Sequence, residues 1–151
     1  MSLCIGTRTT DQWGAGRVVR SSGLAHVLTK VTSRSILVID DDPDILETVR
    51  FVLENAGYRV HVAASGREGL DVLASIAPLP CLILLDLMMP VMNGYETLTA
   101  LKAFQQLAQI PVAILTASGA PKPPLASELL RKPVDIDTLM RTVSSSCNGA
   151  N

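Results

Sequence analysis

The stretch Leu82-Ile83-Leu84-Leu85, followed at once by Asp86, restricts the possible folds of this chain more than any other. The apolar run from Cys81 to Leu85 is too short for a helix and apolar on both sides. It reads as a strand buried on both faces, as in a parallel sheet covered by helices. A carboxylate is almost never left inside such a layer without partners. Asp86 therefore marks an exposed strand end or belongs to a cluster that satisfies it. Ligands in open α/β sheets bind at the carboxyl ends of strands, but an Asp after a strand also commonly caps a turn. These residues alone leave both readings open.

The rest of the chain repeats the pattern. Ile36–Ile39 is a second short apolar run, ending in Asp40, Asp41, Asp42 and Pro43. Asp42 suits a helix N-cap, with Pro43 at the first helical position and Asp44 in the first turn. That leaves Asp40 and Asp41 without a structural task, and adjacent carboxylates repel unless a cation or several donors compensate. Ile45, Val49, Val52 and Leu53 recur at helical spacing up to Gly57, a C-terminal left-handed position. Tyr58–Ala63 alternates as a strand, with His61 expected at the surface. Ser65 and Glu68 form a capping box before a helix that Pro78 and Pro80 close off. After Asp86, Pro90 and Asn93-Gly94 suggest a tight loop, then a helix with Leu98, Leu101, Phe104 and Leu107 as its buried stripe. Pro111–Leu115 reads as a fourth strand, ending at Thr116. Glu128–Arg131 precedes Lys132-Pro133 and a last helix with Ile136, Leu139, Met140 and Val143 inward. From Ser144 onward, small polar residues predict fraying. This order predicts a doubly wound parallel α/β sheet with helices on both faces. Asp40, Asp41, Asp86, Thr116 and Lys132 would then meet at one edge.

Length and composition fit a single domain with an aliphatic core: 151 residues, 48% apolar, 3% aromatic. Residues 1–35 carry five basic groups and one acid, whereas residues 36–151 carry eight basic and thirteen acidic groups. The acidic part argues against direct nucleic-acid binding, and no apolar run reaches membrane-spanning length. Cys4, Cys81 and Cys147 lack metal-ligand spacing and leave an odd thiol, which suggests a reduced, cytoplasmic protein, with Cys81 a small core residue. Residues 1–35 show no sustained period and read as a disordered extension. Val31, near the start of the regular pattern, is an alternative translational start that native mass spectrometry would test.

Three clustered carboxylates suit a hard divalent cation, and Mg²⁺ characteristically takes one or two carboxylates, waters and phosphate oxygens. Asp86 would serve as an oxygen nucleophile for phosphoryl transfer, with Lys132 neutralising the transferred oxygens and Thr116 donating to one. No glycine-rich phosphate loop points to a nucleotide donor.

The pieces Ile-Leu-Val-Ile-Asp-Asp-Asp-Pro at 36–43, Leu-Leu-Asp-Leu-Met-Met-Pro at 84–90 with Asn93-Gly94, Leu-Thr-Ala-Ser at 115–118, and Arg-Lys-Pro at 131–133 together resemble the receiver domain of two-component response regulators. The resemblance spans residues 36–146, leaving 147–151 as a tail. It implies a flavodoxin-like fold with strand order 2-1-3-4-5. It also implies Asp86 as phosphoacceptor and Mg²⁺ held by Asp41, Asp86, the carbonyl of Met88 and, through water, Asp40. Thr116 and Lys132 would contact the phosphoryl group, and the Lys132–Pro133 bond would be cis. The donor would be a sensor histidine kinase or a histidine phosphotransfer protein. No turnover enzyme is implied, only self-catalysed phosphoryl uptake and slow loss, since Met88, which flanks the acceptor together with Ser118, should hinder water.

Two features depart from the family pattern. Leu129 stands where an aromatic switch residue is usual. The interval from Thr116 to Lys132 is short and carries Pro121, Pro123 and Pro124, which disfavour a helix interior. The fourth helix should be shortened or missing, remodelling a face used for dimers or effectors, so the oligomeric state is open. Only a short tail follows the last helix, which implies a stand-alone receiver that binds another protein or passes phosphate onward in a relay. A receiver-shaped binding module without phosphorylation is the alternative. A haloacid-dehalogenase-type hydrolase would need a second acid where Met88 stands.

Overall fold

The apolar runs pair edge to edge in the computed structural model, which describes residues 34–117 and 119–149. Five parallel strands, β1 (Ser35–Ile39), β2 (Arg59–Ala63), β3 (Leu82–Leu85), β4 (Val112–Thr116) and β5 (Glu128–Arg131), lie in the order β2-β1-β3-β4-β5. This is the expected flavodoxin-like order. β1 and β3 are central and buried along their whole length, in keeping with their uninterrupted apolar runs. The expected extension over residues 1–35, the start at Val31 and the position of Ser118 lie outside the described residues, apart from Arg34 and Ser35.

Side-chain alternation divides the core into two layers. Leu37, Ile39, Ile83, Leu85, Val112 and Ile114 face α2 (Gly66–Ser75) and α3 (Gly94–Ala103), while Ile36, Val38, Leu82, Leu84, Ala113 and Leu115 face α1 (Pro43–Asn55) and α5 (Ile136–Asn148). The caps are chemically specified. Asp42 accepts from the Asp44 N–H with Pro43 at the helix start, and Gly57 follows α1 at φ 95°. Ser65 accepts from the Glu68 N–H, but the Glu68 carboxylate returns to the N–H of Ala64.

Several local expectations need correction. α3 ends at Ala103, because Phe104 turns extended at φ −96° and ψ 120° before the single-turn α4 (Gln105–Ala108). Phe104 is thereby 59% exposed instead of completing the buried stripe. Lys102 secures this break by donating to the carbonyls of Ala108 and Ile110, each at 3.1 Å, and burial lowers its pKa. Ile136, at the first turn of α5, is exposed, and His61 is half-buried, its pKa lowered by burial and by Arg59. α5 continues to Asn148, past the point where its composition suggests fraying. The reduced-thiol reading also fails for two cysteines: Cys81 and Cys147 form a disulfide across 66 positions.

Between β4 and β5 no helix forms among the described residues, and the chain makes only a turn at Pro124-Leu125. Instead of a helix ladder, scattered bonds hold this segment. Ser127 donates through its N–H and hydroxyl to the Val112 carbonyl, Lys122 donates to the Ala126 carbonyl, and Arg131 to that of Ala120. Pro123 and Ala126 are buried. The missing fourth helix follows from the prolines, as the sequence predicts.

Candidate functional site

The carboxyl ends of β1, β3, β4 and β5 bring together the residues singled out from sequence. Asp40 follows β1, its N–H donating to the Ala63 carbonyl at 3.1 Å. Asp86 follows β3, its N–H donating to the Ile39 carbonyl at 2.9 Å. The sheet register thus places both acids at adjacent strand ends, with Asp41 one residue further out and exposed. One carboxylate oxygen from each of Asp40, Asp41 and Asp86 lies within 4.8 Å of the others.

Lys132 lies between two of these acids. Its Nζ is 2.6 Å from Asp40 Oδ2 and 3.7 Å from Asp86 Oδ2. β4 and β5 bring it there: the Lys132 N–H donates to the Thr116 carbonyl at 3.0 Å, and the following Lys132–Pro133 bond is cis. Thr116 closes β4, fully buried. The second oxygen of Asp40 accepts from the Asp42 N–H at 2.9 Å, and Asp86 Oδ1 accepts from the Met88 N–H at 3.4 Å.

One ammonium cannot balance three carboxylates. Burial pushes the Asp86 carboxyl above its ordinary pKa, and the Asp40 charge adds to that shift. Lys132 and the Met88 N–H counter it, and Asp41 reinforces it. Surplus negative charge and an all-oxygen donor set fit a hard divalent cation such as Mg²⁺ or Mn²⁺; among the described residues no soft ligand joins the cluster. Asp40, Asp41 and Asp86 could hold it, with the carbonyl of Met88 available on the loop after β3. The Met88 side chain is 65% exposed beside the site.

Sequence reading took Asn93-Gly94 as a turn only. Asn93 is in fact the N-cap of α3, in a reciprocal capping box with Glu96. The signal was present as Asn-x-x-Glu. Gly94 lies against the backbone of Asp86: a Cβ there would come 2.3 Å from the Asp86 carbonyl oxygen. Only glycine allows α3 to start so close to Asp86. Leu129, at the expected switch position, lies on β5 opposite Ile114 and packs against the α2–α3 side of the core.

Comparison with known proteins agrees with this geometry. The sequence profile of the response regulator receiver domain matches residues 36–144. The DNA-binding dual master transcriptional regulator RpaA of Synechocystis sp. is 37% identical over 114 residues, 72% of this chain and 46% of that protein. The chain thus spans less than half the length of that regulator. An uncharacterized 14.6 kDa protein from the sodA1 3′ region of Leptolyngbya boryana is 36% identical over 74% of this chain and 88% of its own length. Among solved structures, the chemotaxis protein CheY4 of Vibrio cholerae superposes with a TM-score of 0.69 at 31% identity, covering 75% of this chain and 98% of its own. Among the described residues no helix is long and apolar enough to cross a membrane. With its strand order, its clustered acids and these relatives, the chain belongs to the response regulator receiver domain family of two-component systems.

Proposed function

We propose that this receiver takes a phosphoryl group onto Asp86 from a phosphohistidine, on a sensor histidine kinase or a histidine phosphotransfer protein. The observation that carries this reading is the Lys132 ammonium set between Asp40 and Asp86, beside three carboxylates within 4.8 Å. The Asp86 carboxylate oxygen attacks phosphorus, an O–P bond forms, the P–N bond breaks, and the imidazole leaves with its electron pair. Asp41, Asp86, the Met88 carbonyl and, through water, Asp40 would hold Mg²⁺, which would supply charge neutralisation for the phosphoryl oxygens. Lys132 neutralises a further oxygen, and the Thr116 hydroxyl donates to another. The exposed Met88 side chain obstructs water, so the acyl phosphate is lost slowly and the chain performs no multiple-turnover chemistry. Output is by protein–protein contact in the cytoplasm, with no direct contact to DNA.

The test is incubation with Mg²⁺ and a small phosphodonor, followed by intact-mass and peptide analysis. One phosphoryl increment on the peptide containing Asp86, absent in Asp86→Asn, is expected. A wild-type protein that gains no increment, while beryllofluoride also fails to alter its spectrum, would instead identify a receiver-shaped binding module.

A further inference from the structure

We propose that Cys81 and Cys147 are a reversible thiol–disulfide modification site that controls the order of the last turn of α5. The crosslink lies at the amino end of the sheet, away from the acidic cluster. Cys81 immediately precedes β3, and Cys147 is one residue before the end of α5. The four residues of β3, Leu82–Leu85, separate Cys81 from Asp86, five steps or about 17 Å of extended chain.

The helix end has little else to hold it. Residues 144–149 read Ser-Ser-Ser-Cys-Asn-Gly. Serine and asparagine favour caps and turns over helix interiors, because their side chains compete for backbone groups. Ser145 does so here, donating to the Thr142 carbonyl. No basic residue complements the helix dipole in this turn. Intrinsic propensity therefore predicts fraying from Ser144, yet the helix runs to Asn148. Besides the bond the Asn148 amide donates to the Ser144 hydroxyl within the turn, two links tie it to the rest of the fold among the described residues: the disulfide, and a hydrogen bond from the Arg34 guanidinium to the Asn148 side-chain oxygen. Of these, only the disulfide is covalent and buried. Cys147 is 4% exposed and packs with the α1–α5 side of the core.

Cys81 is the more accessible partner and receives the attack. A thiolate of a low-molecular-weight dithiol adds to Cys81 Sγ, and the Sγ–Sγ bond breaks with Cys147 leaving as thiolate. The second thiolate of the reductant then displaces Cys81, so two electrons and two protons reach the protein and the reductant becomes a cyclic disulfide. Oxidised glutathione reverses the step through the matching mixed disulfide, releasing two molecules of reduced glutathione. The reduced form frays at Ser144–Asn148, and the oxidised form is the one described above.

Because Cys4 lies outside the described residues, the experiment uses the full chain carrying Cys4→Ser. After equilibration with oxidised glutathione, alkylation under denaturing conditions should leave Cys81 and Cys147 unmodified. After dithiothreitol without denaturant, both should be alkylated. Amide hydrogen exchange of residues 144–148 should quicken about tenfold or more on reduction, while β1 and β3 stay protected. Reoxidation should restore protection, and Cys147→Ser should exchange like the reduced form in either buffer. Free thiols after oxidised glutathione would overturn the proposal. So would a disulfide that dithiothreitol cannot reach without denaturant, or equal exchange in the two states.

Discussion

The two ends of the parallel sheet are built on opposite principles. At the carboxyl end, three carboxylates face one ammonium, and the surplus charge is held in place by the packed strands behind it. At the amino end there is no comparable acidic cluster among the described residues. There a disulfide joins β3 to α5, and the Cys81 N–H bonds to the Ser35 carbonyl. Surplus charge is concentrated at the carboxyl end, and the covalent crosslink lies at the opposite end, away from the acidic cluster. The proposed uptake of charge at Asp86 falls at the end of the sheet opposite this crosslink.

The contrast can be broken from the charged end most decisively. Asp41→Asn should leave the fold intact, since Asp41 is exposed, but should abolish the stabilisation of the protein by Mg²⁺ in a thermal melt. It should also slow phosphoryl uptake by about two orders of magnitude; unchanged uptake would remove Asp41 from the metal site. At the opposite end, reducing the disulfide frees a closed loop of 66 positions. Chain-entropy reasoning puts the loss at about 4 kcal/mol, readable from urea denaturation with and without dithiothreitol. Lys132→Ala removes the partner of the buried Asp40 and should cost about 3 kcal/mol in the metal-free protein. A smaller loss with Mg²⁺ present would show the cation substituting for the ammonium.

Asp86→Asn should act in the other direction, slightly stabilising the metal-free protein while ending phosphoryl uptake. Its pH dependence has a definite sign. Burial and Asp40 hold the folded-state pKa of Asp86 above its unfolded value. The stability this group contributes is therefore present below the unfolded pKa and is lost as pH rises through the folded one. The advantage of Asp86→Asn over wild type should grow from acid toward neutral pH in chelator and shrink when Mg²⁺ is added. An advantage constant across pH would place its origin in packing.

Legibility from sequence also differed between the two ends. The carboxyl end was readable because short apolar runs stopped by acids report strand ends directly, and the parallel order brings those ends together. Asp40, Asp41 and Asp86 follow from that pattern, and Thr116 and Lys132 from their places at the ends of the fourth and fifth strands. The amino end was not, because the pairing of Cys81 with Cys147 depends on where α5 ends on the sheet, and no local spacing records that. The break at Phe104 was hidden for a related reason. No glycine or proline marks it, and Lys102 stabilises it through carbonyls six and eight residues further along. Ile136 fits the helical spacing but is the first residue of α5, and its side chain is 57% exposed.

The proline-rich cover between β4 and β5 has a consequence in the denatured state. A helix there would gain a ladder of hydrogen bonds, and this loop forgoes it. Pro121, Pro123 and Pro124 each narrow the conformations open to the unfolded chain, and each compatible proline is worth about 0.4–1 kcal/mol through that route. Pro123 also adds buried surface beside Ala126. The segment is therefore held as much by what the unfolded chain cannot do as by what the folded one does. A cover of this kind is stiff without being helical. Among the described residues it has no helix to unwind.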